Sequence, residues 1–226
     1  MISTFFHSSN IKESSVSEFF ESSIIYFYNE LSRYLANTNR VFEKYHLIEY
    51  GEMTLVNFFI NGIIRNDEIN IYTILNEFAT EKTDVYNSGR ADIVIEDTIL
   101  KEVFYIETKI STSKENAPDS RAWKDKSEII KGYTDILEQA DRYLKIDWKN
   151  YLHPAREKFD RLNLYTFYKV AMIFDSVRFI DDTKILHWNY IPELDNEFYA
   201  FKTFPHKNSV FGLACYGLVE KVEVKK

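Results

Sequence analysis

Over Ser17 to Ala36, Phe20, Ile24, Phe27, Leu31 and Leu35 recur at helical spacing and predict an amphipathic helix. A second helix is predicted over Leu47 to Ile64, where Leu55, Phe58, Phe59 and Ile63 form the apolar stripe. Ile69 to Ala79 then reads as a strand. Asn87-Ser88-Gly89 signals a turn, and Arg90 to Glu96 (RADIVIE) is short and β-branched, as a strand requires. Asp97 to Lys101 reverses the chain into a second strand, Glu102 to Ile110 (EVFYIETKI), whose last residues turn polar.

Lys114 to Lys126 is polar, is interrupted by Pro118 and reads as a loop. Asp125 is placed to cap a following helix, with Glu128 completing a capping box. That helix is expected to run to about Ile146, with Ile129, Tyr133, Ile136, Ala140 and Tyr143 along one stripe. Phe167 to Phe174 and Gly212 to Val224 read as strands. Asp181 to Asn208, rich in Trp, Tyr, Phe and Pro, gives no clear pattern. The order helix–strand–strand–strand–helix–strand implies an α/β, mixed α+β architecture with a central mixed sheet flanked by helices. An N-terminal helical segment (1–46) is expected to pack on the main body (47–226), the two forming a single globular unit with an aromatic-rich C-terminal elaboration.

With 226 residues, 45% of them hydrophobic, the chain is long enough for one good core, and its 18 Phe and 16 Tyr make that core aromatic. Cys215 is the single cysteine, so no internal disulfide forms, and no Cys/His set has zinc spacing. The first residues, Met1 to Phe6, lack the basic region and long apolar run of a signal peptide. No apolar stretch approaches the roughly 18 residues of a spanning helix. A reducing, cytoplasmic setting without membrane contact is the expectation. The net charge of −7 argues against a protein that merely coats nucleic acid. Residues 109–161, with 12 Lys/Arg against 10 Asp/Glu, are mildly basic by comparison.

Four acid-x-Lys tripeptides occur: Glu107-Thr108-Lys109, Asp147-Trp148-Lys149, Asp182-Thr183-Lys184 and Glu223-Val224-Lys225. Only the first has a second carboxylate on a neighbouring strand at matching height. If the hairpin turns between Ile99 and Leu100, paired residue numbers sum to 199 and Asp92 stands opposite Glu107. Opposed side chains share a face, with Cβ atoms about 5 Å apart, and Glu107 and Lys109, two apart, share it too. Two opposed carboxylates repel unless a cation lies between them, which a hard divalent ion such as Mg²⁺ (or Mn²⁺) would supply. Lys109 would orient a water or stabilise charge developing on a phosphate. The competing interpretation is structural: Asp92 ends a strand, and Glu107 and Lys109 form a solvated edge pair.

Gly89 to Ile95 followed by Phe104 to Lys109 resembles the core motif of the PD-(D/E)XK nuclease superfamily, although Ala91 stands where the motif has Pro. The resemblance implies a restriction-endonuclease-like core and a metal-dependent nuclease that hydrolyses phosphodiester bonds. Asp92, Glu107 and Lys109 would be its catalytic centre. It further implies Glu52, Asp92, Glu107 and Thr108 as the metal set. Gln139-Ala140-Asp141-Arg142-Tyr143 resembles the Q-x-x-x-Y signature of RecB-like members, making Gln139 and Tyr143 substrate contacts. Tyr143 is equally well read as a core aromatic. Apart from the resemblance, Lys131 and Arg121, with Lys114, Lys124 and Lys126, are candidates for holding phosphates, with a solvated loop carrying interspersed acids as the alternative. DNA is the expected substrate, with phage defence, restriction or repair as settings, and a homodimer or protein partner remains open. The alternative is a non-catalytic module of the same fold that works through a protein partner. The five histidines, Cys215 and the aromatic run Trp188 to Phe204 are expected to serve packing or surface roles.

Overall fold

The computed structural model describes residues 5–8, 14–38, 51–66, 72–79, 90–112, 130–139, 165–179, 192, 194–206 and 209–222. They form a mixed α+β structure around one seven-stranded sheet. The elements are β1 (Phe5–Ser8), α1 (Ser14–Thr38), α2 (Gly51–Asn66), β2 (Tyr72–Ala79), β3 (Arg90–Asp97) and β4 (Glu102–Thr112), followed by β5 (Thr166–Phe179), β6 (Glu197–His206) and β7 (Ser209–Val222). Between β4 and β5 a third helix, α3, is described over residues 130–139. The strand order is β1-β6-β7-β5-β4-β3-β2. Only the central β4–β5 pair is parallel, and the other described pairings are antiparallel. The expected order, helix–strand–strand–strand–helix–strand, is that of α2-β2-β3-β4-α3-β5.

Side-chain alternation along the strands puts the two larger core clusters on opposite faces of the sheet. Ile93, Ile95, Phe104, Ile106, Val170, Met172, Phe174 and Cys215 are buried beneath α1 and α2. Ala171, Ile173, Tyr199, Phe201, Ala214 and Tyr216 are buried against Tyr133, Ile136 and Leu137 of α3. The helical layer on the first face is aromatic. Phe19 stacks on Phe104, which stacks on Tyr168, and Phe20 stacks on Phe198. Asn66 bonds Ser22, Phe58 meets Tyr34, and Gly62 sits against Phe27, so α1 and α2 run antiparallel.

Two strands depart from the expectation. β1 adds an edge strand to a segment expected to be helical, pairing with β6 through Phe5↔Phe201 to Ser8↔Phe198. β6 lies in the aromatic stretch that gave no pattern. Its Phe198, Tyr199, Phe201 and Phe204 are all buried, so in β6 the aromatics are core. The turn between β3 and β4 is made without glycine. The Asp97 carboxylate accepts hydrogen bonds from the amides of Ile99 and Leu100 (2.8 and 2.7 Å), and Lys101 takes the left-handed backbone conformation (φ 58°).

Candidate active site

The β3–β4 ladder runs from Asp97↔Glu102 to Ile93↔Ile106, the register in which residue numbers sum to 199. Asp92 is the next residue along β3, and continuing that register would set it opposite Glu107. Ile93 faces α1 and α2, so strict alternation would put Asp92 on the α3 side. Glu107 and Lys109 are register partners of Ala171 and Ile173, which lie under α3. Glu107 and Lys109 therefore share the α3 face of β4, and the carboxylate of Asp92, one strand away, is turned to Thr108 between them.

Each carboxylate has its own donors. Asp92 Oδ2 accepts from the Thr108 amide (2.7 Å) and from the Thr108 hydroxyl (2.8 Å). Glu107 is 2% exposed, and its Oε2 accepts from Gln139 Nε2 at 3.2 Å. These bonds spread the charge that two bare carboxylates would concentrate, since hydrogen bonds to the charged form favour it. Lys109 is exposed. An ordinary edge ion pair would not bury its acid this deeply.

Thr108 enters the site by a route that spacing did not suggest. Its side chain holds Asp92, so its first role is to orient that carboxylate. Gln139, expected as a substrate contact, stands at the end of described α3 and donates to Glu107. Lys131 is exposed in the first described turn of α3. Glu52 lies in the first turn of α2, but its side chain, Tyr143, Arg121 and the loop Lys114 to Lys126 fall outside the described residues.

Two more buried acids lie on this face. Glu197 is fully buried at the start of β6, accepting from the Tyr133 hydroxyl (3.1 Å) and the Leu194 amide (3.1 Å). Asp175, the register partner of Ser111, is buried on β5. The Tyr199 hydroxyl is pushed well above its ordinary pKa, first by burial and then by the negative charge of Asp175. Neither acid carries a motif, and periodicity alone gives no sign of a buried carboxylate.

Among the described residues, no three His, Cys, Asp or Glu side chains gather into a set that could hold a metal ion. Asp92 and Glu107 are the carboxylates that could contribute to holding a hard divalent cation. Mg²⁺ commonly takes one or two carboxylates and completes its shell with water and substrate phosphate. Among the described residues no helix is long and apolar enough to cross a membrane. No family model, curated protein or solved structure matches the chain.

Proposed function

We propose that this chain is a metal-dependent nuclease with a restriction-endonuclease-like core, hydrolysing phosphodiester bonds in nucleic acid, with DNA the first substrate to test. The observation that carries the reading is Glu107. A 2%-exposed carboxylate, held by Gln139 from α3, lies on the face that also carries exposed Lys109, with Asp92 held on the neighbouring strand by Thr108. Burying a charge is costly unless it is paired or serves a ligand, and acids in such surroundings recur at functional sites.

Asp92 and Glu107 would hold Mg²⁺ or Mn²⁺. Such an ion polarises a phosphoryl oxygen and acidifies water. The remaining work falls to the chain itself. Thr108 keeps Asp92 in place through two hydrogen bonds, and Gln139 does the same for Glu107. Lys109, on the adjacent same-face position, sets a positive charge where negative charge grows on the phosphate during hydrolysis.

The test is cleavage of circular DNA, linear DNA and RNA with Mg²⁺, Mn²⁺ or EDTA, beside Lys109→Ala. Metal-dependent cutting that disappears in a folded Lys109→Ala protein supports the reading and names the substrate. Absence of cutting by the folded wild type sinks it in favour of a binding module that keeps the fold.

A further inference from the structure

α3 reaches from the second core to the candidate site, and three contacts locate it. At Gly132, a Cβ would come within 2.8 Å of Ile173 Cδ1, so the missing side chain allows close approach to β5. At Tyr133, 1% exposed, the hydroxyl donates to Glu197 at 3.1 Å. At Gln139, the amide donates to Glu107. Tyr133 and Gln139 are six residues apart, about 9 Å along the helix axis.

The middle contact differs in kind from the apolar packing around it. Ile136 and Leu137 pack without direction, and such contacts tolerate small slides and rotations. A hydrogen bond to a carboxylate does not, because it weakens steeply with angle and distance. Glu197 cannot drift either, since its other oxygen accepts from the Leu194 amide ahead of β6. The bond thus fixes the depth and rotation of α3 against the sheet.

Building on the nuclease reading, we propose that Tyr133 and Glu197 are positioning residues for the cleavage site. Their hydrogen bond sets α3 so that Gln139 stays on Glu107, and its loss lets the helix shift and releases that carboxylate. Partners that orient a ligating group typically contribute about 10- to 100-fold to activity.

Tyr133→Phe removes the hydroxyl and keeps the ring. The expected result is a folded protein whose kcat falls about tenfold while KM stays within about twofold. Combined with Gln139→Ala, it should add no further loss, because both act through Glu107. Additive losses, or wild-type kinetics in Tyr133→Phe, overturn the proposal. Hydrogen exchange supplies a readout independent of activity: amides 134–139 should exchange about tenfold faster in Tyr133→Phe. Unchanged exchange overturns the proposal even if activity falls. A wild type that cuts nothing while exchange responds as expected removes the nuclease reading and leaves the helix-positioning contact supported.

Discussion

Thr108 holds Asp92 twice, its amide at 2.7 Å and its hydroxyl at 2.8 Å from the same carboxylate oxygen. The residue between the acid and the lysine of Glu107-Thr108-Lys109 thus clamps the acid on the neighbouring strand, while its own neighbours face α3. Thr108→Val removes the hydroxyl and leaves the amide. A hydrogen bond to a charged acceptor contributes about 1.5–3 kcal/mol. Since the amide bond survives, a loss near the lower end is expected, with cleavage reduced about tenfold. Thermal melting and kcat/KM on the same preparation check both figures. Unchanged cleavage would detach Asp92 from the chemistry or Thr108 from Asp92.

Glu107→Gln tests whether the site is held at the expense of stability. The substitution removes a buried negative charge and keeps an amide oxygen able to accept from Gln139. In EDTA the variant should melt about 2–4 °C above wild type, as a gain of about 1 kcal/mol gives in a domain of this size. Mg²⁺ should reverse the order. A ligand present at 100 times its dissociation constant stabilises by about 2.7 kcal/mol, and only wild type should collect that gain. A variant that melts lower in EDTA and still responds fully to Mg²⁺ would mark Glu107 as structural.

Much of this site was legible because it rests on local alternation. Arg90 to Glu96 and Glu102 to Ile110 announce two strands, and a five-residue connection leaves few registers, one of which aligns Asp92 with Glu107. The reversal itself was less readable. Ile99 and Leu100 are poor turn formers, and the turn is made by the Asp97 side chain. β1 and β6 escaped for a different reason. Their pairing joins Phe5 to Phe201, so neither strand has a sequence neighbour to reveal it. In Phe198-Tyr199-Ala200-Phe201 both sheet faces are buried, which erases the alternation that marks a half-exposed strand. Glu197 was invisible because its partners, Tyr133 and Leu194, are set by tertiary packing.

Gly62→Ala sets helix propensity against helix packing. Alanine inside a helix is favoured over glycine by about 1 kcal/mol. At this position, however, a Cβ would lie 2.7 Å from Phe27 N and 2.9 Å from Ser23 O, both backbone atoms that cannot rotate away. Forcing α1 and α2 apart disturbs Phe27 and Phe59, and overpacking of this kind costs about 1–3 kcal/mol. The clash should win, lowering the melting temperature by several degrees. A higher melting temperature would mean that the helices separate more readily than their backbone contact suggests.

The alkaline limit of stability should be set by groups that folding keeps protonated. Cys215 is fully buried, and burial pushes its thiol above the ordinary 9.0. Tyr28 is also fully buried, its hydroxyl 3.1 Å from the Ala200 carbonyl and 3.0 Å from that of Leu213. Burial first, then the nearby Cys215, Tyr199 and Tyr216, hold it well above the ordinary tyrosine value of 10.0. Each group has a folded pKa above its unfolded one, so its contribution is complete below the unfolded value and fades as pH rises through the folded one. In that window the unfolded chain releases a proton the folded chain retains, which costs about 1.4 kcal/mol per pH unit per group. Stability should be flat to near pH 9, decline between pH 9 and 10 on account of Cys215, and fall more steeply above pH 10 as Tyr28 and Tyr199 join. Cys215→Ala should lose the first limb and keep the second, as read from urea midpoints across pH 7–11. A first limb that survives in Cys215→Ala would assign it to another group.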